Sequence, residues 1–486
     1  MIRQAAGRAL RRFLLALARR AAPDKALGRA HGAALRAARH AAGVSAAYQQ
    51  LLAEHGVSRA RLAKHFALAE LPVLTKANTF GRFALHELSR PIRPEALADV
   101  LTSSGRSRSH FGYRLTSRRE HDAASFGIDL GLQDAFNVDG LPTLLVNCLP
   151  MGVVFRSRAV TVANVSVRED MACAILRDIG PRFKQTLVCT DPLFVRRLLD
   201  HGREAGVDWR ALNTSVILGE EMLVEAQRDY IAAHMAIDID RDPQRTVASS
   251  FGVGELGLNL LFESRETIRI RRAARRLPEL AALIEGGDRT GTLPSVFCYA
   301  PQRVFIEVLA PDPAGWGELC ITLLDTRSVM PLPRFATGDI ARLMGAGEVV
   351  RAAGMAGAAA PWLPVVLIRG RSSDHAAGRP SVEALKELLY ADHADADGLT
   401  GAFLFEDGEP GASTVLVQAK TAAIAAEVGL QERLNLRAAA MNPAAVFKVL
   451  APENFPGRPM LDFERKFPYS RGADGPAKVE SKPRTR

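Results

Sequence analysis

Hydrophobic and polar positions change their rhythm three times along the chain. Residues 1–70 are rich in Ala, Leu and Arg and repeat at helical spacing, which predicts a series of helices with a turn at Pro72. From about Leu101 the pattern becomes strand, loop, helix. "LPTLLVNCLP", "QTLVCT", "NTSVILGEE" and "RTVASSFG" read as buried strands. Between them lie "VREDMACAILRDIG", "DPLFVRRLLDHGREAG" and "LVEAQRDYIAAHM", which read as helices. Gly180-Pro181 stops the first, and Asp191 is placed to cap the start of the second. Strands alternating with helices predict a mostly parallel, doubly wound sheet, with the site on loops at the strand C-terminal ends. After residue 290, "RVFIEVLAP", "GELCITLLD" and "PLPRFATGDIARL" read as antiparallel strands. "GAGEVVRAAGMAGAAAPWLP" reads as a loose hairpin region.

A smaller unit follows "VVLIRGRSSD", with a helix at "VEALKELLY", strands at "TGAFLFED", "STVLVQAK" and "AAVFKVLAP", and a helix near 424–440. The predicted fold class is therefore α/β. A large N-terminal domain holds mostly parallel doubly wound sheets plus a β-rich subdomain, and a small α+β domain follows. The expected divisions are a helical cap at 1–95, a core at 96–370 and a small mobile domain at 371–486, hinged at Gly370–Asp374.

The net charge of +10 raises the question of nucleic acid. Residues 1–40 hold ten Lys/Arg against Asp24, and residues 465–486 hold seven against Asp474 and Glu480, which leaves the rest at −4. Basicity confined to the ends supplies no phosphate-tracking face, so no nucleic-acid partner is expected. The N-terminal helix is too short and too charged to span a bilayer. Its pattern favours packing its Leu/Phe side on the body over a peripheral membrane contact. The five cysteines form no CxxC pair, which argues against structural zinc and for a reducing, cytoplasmic setting.

Four polar motifs end or follow the predicted strands: "LTSSGRSRSHFGY" (101–113), "LGEE" (218–221), "SSFGVGELG" (249–257) and "PRFATGD" (333–339), with "IRGRSSD" (368–374) close behind. In this order they resemble the adenylate-forming superfamily. Within it they look most like the phenylacetate–CoA ligase-like branch, related to the acyl-protein synthetases. The segment "AAYQQLLAEHGV…LAELPVLTK" is similar to that branch's opening, where Pro-x-x-Thr-Lys closes the helical cap. The resemblance covers about residues 40–470.

The resemblance implies ATP-dependent activation of an aromatic or fatty acid to an acyl-adenylate, then acyl transfer to coenzyme A or to a carrier-protein thiol. Asp339 would accept hydrogen bonds from the ribose hydroxyls, with Arg371 as a second ribose contact and Arg334 at a family position. Phe251 and Gly252 would meet adenine, and Glu255 would hold Mg2+, a hard cation that prefers oxygen ligands. Gly219, Glu220 and Glu221 match the Gly-Gly-Glu-Pro segment that lines the adenine site, with Glu220 in place of a glycine. Met151, Gly152, Gly254 and Gly257 would shape the acid pocket. Lys466, flanked by Phe463 and Phe467, would bridge the α-phosphate and the substrate carboxylate, where a cation lowers the barrier electrostatically. Lys478 is the rival for that role.

Two departures stand out. The family's Ser-Ser-Gly-Thr-Thr-Gly phosphate loop keeps Ser103, Ser104 and Gly105, but Arg106 and Ser107 replace the threonines and Arg108 the second glycine. A two-residue deletion that aligns "SHFG" with a later stretch is the other alignment. Gly254 stands where the family carries a Thr or Ser hydroxyl. Both leave open a relative that binds nucleotide or an acyl ligand without efficient ligation.

Overall fold

The computed structural model describes residues 2–20, 23–63, 67–103, 111–150, 152–285, 292–372, 379–406, 413–439, 441, 445–456 and 461–469. Ser104, Gly105, Arg106, Ser107, Arg108, Met151 and Lys478 lie outside them, as do Ser373 and Asp374 of the expected hinge, so those expectations are not addressed by the fold.

A hairpin of β1 (Leu97–Thr102) and β2 (Tyr113–Ser117) precedes the main sheet. Among the described residues that sheet has eleven strands. β3 (Thr143–Asn147), β4 (Thr161–Asn164), β5 (Gln185–Thr190), β6 (Thr214–Leu218) and β7 (Val247–Val253) pair in parallel, in the order β4-β3-β5-β6-β7. β8 (Gly257–Phe262), β9 (Ser295–Tyr299), β10 (Val304–Leu309), β11 (Gly317–Leu323), β12 (Phe335–Met344) and β13 (Val365–Arg371) continue it antiparallel as β8-β9-β13-β12-β11-β10. β3 and β5 are buried along their whole length, because helices cover both faces of a parallel sheet.

The expected parallel and antiparallel parts are thus halves of one sheet. The joint is β7. Its first residues, Val247–Ser249, pair with β6 in parallel, and Ser250, Phe251 and Val253 pair with β8 antiparallel. A seven-residue strand is long enough to serve two partners in succession. The expected loose hairpin near 346 is a helix, Ala346–Met355. Glu348 accepts the Gly345 N–H at 2.8 Å, and Val349, Ala352 and Ala353 are buried at helical spacing.

The C-terminal sheet is β14 (Leu399–Glu406), β15 (Ser413–Ala419) and β16 (Ala445–Leu450), with β14/β15 antiparallel and β15/β16 parallel. Its core is continuous with that of the parallel half. Phe194, Leu198, Tyr230 and Ile231 share one buried cluster with Leu385, Tyr390, Phe403 and Phe447. Arg196, buried in the seam, donates to the carbonyls of Ala396 and Leu399 and stacks on Tyr230 and Tyr390 at 4.8 and 5.2 Å. Glu387 accepts the N–H groups of Glu225 and Ala226 at 2.9 and 3.0 Å, at the start of the helix Glu225–His234. All five cysteines are buried and free, and burial pushes the Cys189 thiol up to about 12. No helix among the described residues is long and apolar enough to cross a membrane.

Candidate functional site

The C-terminal ends of the parallel strands open on a cavity of about 470 Å³, an ordinary size for a small-molecule site. The C-terminal unit closes it from the other side. Four of the sequence motifs meet here, carried by Ser103, Gly219–Glu221, Phe251–Glu255, and Asp339 with Arg371; Lys466 joins them. They are drawn together from positions as far apart as 103 and 466.

Asp339 reaches the cavity on β12, beside Arg371 of β13. The two are paired in register, and Arg371 Nε lies 4.0 Å from Asp339 Oδ1. Gly338 and Gly370 flank them with φ of 81° and 99°, a conformation that costs a side-chain residue but not glycine. Arg334 does not line the cavity. Its guanidinium binds Glu307 and the carbonyls of Ala69 and Leu71, which clasps the N-terminal cap to β12. Leu74 completes the clasp by exchanging backbone hydrogen bonds with Arg334 and Ala336.

That clasp delivers Lys76 to the cavity, where its ammonium lies 2.8 Å from Glu255 Oε1. Glu255 is buried at the β7–β8 turn, and the same oxygen accepts no hydrogen bond. The ion pair is therefore not aligned as one. A single carboxylate with spare acceptor capacity fits Mg2+, which commonly takes one or two carboxylates and fills its remaining positions with phosphate and water. Among the described residues no group of three or more His, Cys, Asp or Glu side chains forms an all-protein metal site.

Gly112 packs under Glu255 so closely that a methyl group there would fall 2.0 Å from Oε1. Gly254 is equally constrained, since a Cβ would lie 2.8 Å from Ser103 Cα. The departure at 254 thus has a local cause: the end of β1 occupies the space. Gly254→Thr is expected to lower both the melting temperature and any activity, with an overpacking cost of about 1–3 kcal/mol. A Gly254→Thr protein that proved stable and faster, in a thermal melt and a turnover assay, would contradict this account.

The turn after β6 is the second anchor. Gly219 N–H donates to Thr190 O at 2.9 Å, and Glu220 takes φ of 70°. A glutamate thus holds a glycine's backbone conformation. Lys466 explains what the side chain does there. The side chain is 15% exposed; its ammonium lies 2.8 Å from Glu220 Oε2 and donates to the Glu220 carbonyl at 3.1 Å. Lys386 and the Tyr469 hydroxyl donate to Glu221 Oε2 at 2.7 and 2.6 Å. Lys466 sits in the irregular segment 461–469. The flanking aromatics do anchor it: Phe463 packs edge-on against Phe194 at 5.2 Å, and Phe467 against Tyr469 at 5.5 Å.

Leu149, Gly152, Val153 and Phe155 form an apolar wall of the cavity. Gly257 does not line it. With φ of 122° it pairs with Val253 in the β7–β8 turn, next to the Arg114 side chain.

Behind the turn after β6, Asp191 Oδ1 accepts from Leu193 N and Phe194 N at 2.8 and 3.0 Å, in the turn that leads into the helix Phe194–Glu204, whose N-cap is Leu193 rather than the expected Asp191. Oδ2 is buried without a hydrogen bond. Burial raises this carboxyl to about 7, the amide bonds oppose the rise, and Glu221 and Glu220 add to it. The folded value lies above the unfolded one of about 3.9. Its contribution to stability is therefore full below about pH 4 and is lost as pH rises through about 7. Asp191→Asn is expected to remove this part of the decline, so the melting-temperature difference from wild type should shift with pH between 5 and 8. Parallel pH profiles of the two proteins would refute the assignment.

Lys76, Lys386 and Tyr469 line the cavity but were not singled out in sequence. For Lys76 a signal existed, the Pro-x-x-Thr-Lys end of the cap. The other two carry none.

No protein-family model matches the chain, and no curated protein sequence matches it. Solved structures do match. 2-Hydroxyisobutyryl-CoA ligase in the postadenylation state, in complex with R3-HIB-AMP, aligns with a TM-score of 0.64 at 13% identity, over 91% of this chain and 89% of that one. The same ligase in an open conformation with 2-HIB-AMP and CoA gives a TM-score of 0.53 at 14% identity, over 90% and 91%. Its thioesterification state also gives 0.53, at 12% identity, over 92% and 90%. The chain thus has the fold of that ligase along nearly its whole length.

Proposed function

We propose that the protein is an AMP-forming acid–thiol ligase. The carrying observation is the convergence of Asp339, Arg371, Phe251, Glu255 and Lys466 on one cavity, in a fold whose solved neighbours include complexes with acyl-adenylates. In the proposed first step a substrate carboxylate oxygen bonds to the α-phosphorus of ATP, and the bond to pyrophosphate breaks. Asp339 accepts from the ribose hydroxyls, with Arg371 beside it, and Phe251 offers its ring to adenine. Lys466 offsets charge that builds on the phosphate and carboxylate, so catalysis is positioning and electrostatics. Glu255 would hold Mg2+, which when bound supplies further charge neutralisation. Lys76 holds the Glu255 carboxylate in the meantime.

In the second step the acyl group passes to a thiol sulfur and AMP leaves. Coenzyme A is the proposed acceptor, supported by neighbours solved with CoA, and a carrier-protein thiol is the rival. The C-terminal unit, 371–486, is proposed to turn about the hinge at 370–374 to admit it. Lys466 in the cavity and the better match to a postadenylation state both fit the first-step arrangement. The apolar wall at Leu149, Val153 and Phe155 suits an aromatic or fatty acid, in keeping with the phenylacetate–CoA ligase-like branch. A cytoplasmic site of action fits five free thiols. Carboxylate-dependent ATP–pyrophosphate exchange over a panel of acids, followed by the mass of the product formed with CoA, tests the reading. No exchange with any acid would defeat it.

A further inference from the structure

The N-terminal helix Ile2–Arg20 contains six arginines and no acidic residue. Its roll on the protein is the reverse of the expected one. The side facing the body carries Arg11 and Leu15, both buried. Arg11 Nε donates to Asp139 Oδ2 at 3.1 Å, and its guanidinium also lies 3.9 Å from Asp129. Leu10, Phe13 and Leu17 face outward, 49%, 63% and 57% exposed. At i, i+3 and i+7 they form one stripe.

A helix placed only for packing would bury that stripe and leave Arg11 in water, since desolvating a guanidinium is expensive unless it is paired. Here Asp139 and Asp129 supply the pairing and thereby fix the roll. Arg20 stands one turn beyond Leu17 on the same side, Arg12 lies further round on that flank, and Arg8 is on the opposite face, all three exposed. The next helix, Pro23–Val44, adds exposed Lys25, Arg29 and Arg36. The stretch between the two basic ends is net acidic, so the positive field is concentrated at this helix and at the C-terminal end.

We infer that this face docks on an anionic lipid surface. Leu10, Phe13 and Leu17 enter the boundary between headgroups and acyl chains, and the flanking arginines meet the lipid phosphates. An exposed apolar stripe flanked by Arg12 and Arg20, on a helix with six arginines and no acid, is the charge and shape complement of such a surface. The inference is independent of the reaction proposed for the cavity.

The test is co-sedimentation of the full chain with unilamellar vesicles of phosphatidylglycerol and phosphatidylcholine, against vesicles of phosphatidylcholine alone. Wild type is expected to bind the anionic vesicles and to be released by salt. Leu10→Ser/Phe13→Ser/Leu17→Ser should lower the partition coefficient about tenfold or more, because the apolar side chains provide much of the binding. The three positions are exposed, so the melting temperature should be unchanged; Arg12→Gln/Arg20→Gln gives a second, charge-only variant that should also bind more weakly. Failure of wild type to sediment with anionic vesicles overturns the inference, as does binding that the triple variant retains in full. Light scattering that shows a dimer dissolved by the triple variant would overturn it in favour of a second copy of the chain. Retention on a duplex oligonucleotide without vesicle binding would overturn it in favour of nucleic acid.

Discussion

Lys466→Ala is expected to lower carboxylate-dependent ATP–pyrophosphate exchange by about 10²–10³-fold, the range for removing one preorganised electrostatic contact from an active site. The geometry supports so large an effect. The side chain is mostly shielded from water, is held between two aromatic anchors, and lines the same cavity as Asp339 and Glu255. Its present partner is Glu220, which lies 2.8 Å away on the turn after β6. Lys386→Ala is the internal comparison. That ammonium is also buried but is shared between Glu221 and the Tyr469 ring, and its loss should cost stability more than exchange. Wild-type exchange in the Lys466 variant, or the larger loss at Lys386, would reassign the role.

Gly112→Ala is expected to disturb the Glu255 carboxylate directly. The added carbon would fall 2.0 Å from Glu255 Oε1 and 2.6 Å from both Cδ and Cγ. Residue 112 cannot retreat cheaply. Its carbonyl accepts from Ser103 N and its N–H donates to Ser103 Oγ, both at 2.9 Å. The Glu255 carboxylate must therefore swing away and break its pair with Lys76. Overpacking of this kind costs about 1–3 kcal/mol or more. The expected readout is a melting temperature lowered by several degrees, together with a rise in the Mg2+ concentration needed for half-maximal exchange. A variant with unchanged Mg2+ dependence would show that Glu255 does not hold the ion.

What could be read from the chain beforehand was what its local pattern determines. Asp339, Phe251 and Glu220 each sit at or just beyond a buried strand, and the periodicity placed those strands. The pairing across the cavity was not legible, because it depends on register. Lys76 meets Glu255 only because Leu74 bridges Phe335, a contact that no local spacing encodes. The helix Ala346–Met355 was hidden by composition, since its Ala and Gly content resembles low complexity until Glu348 is seen as a cap. The roll of the N-terminal helix was misread for a related reason. Hydrophobicity alone favours burying Leu10 and Phe13, and the carboxylates that reverse it lie at 129 and 139. The loop from 104 to 110 and Lys478 stand outside what the structure describes.

The core that runs from Phe194 and Tyr230 into Leu385 and Phe403 makes departure of the C-terminal unit resemble a partial unfolding. Turning it would wet the Arg196 guanidinium, part the Tyr230–Asp397 hydrogen bond at 2.7 Å and free the Lys420–Asp200 ion pair. Losing these contacts leaves the open arrangement a minor population unless a ligand favours it. In the proposed cycle the closed arrangement is therefore the resting one, and pyrophosphate release or thiol arrival must drive the opening. An acyl-adenylate is a mixed anhydride that water destroys. A chamber that stays shut until its acceptor comes would protect that intermediate, trading speed of turnover for yield.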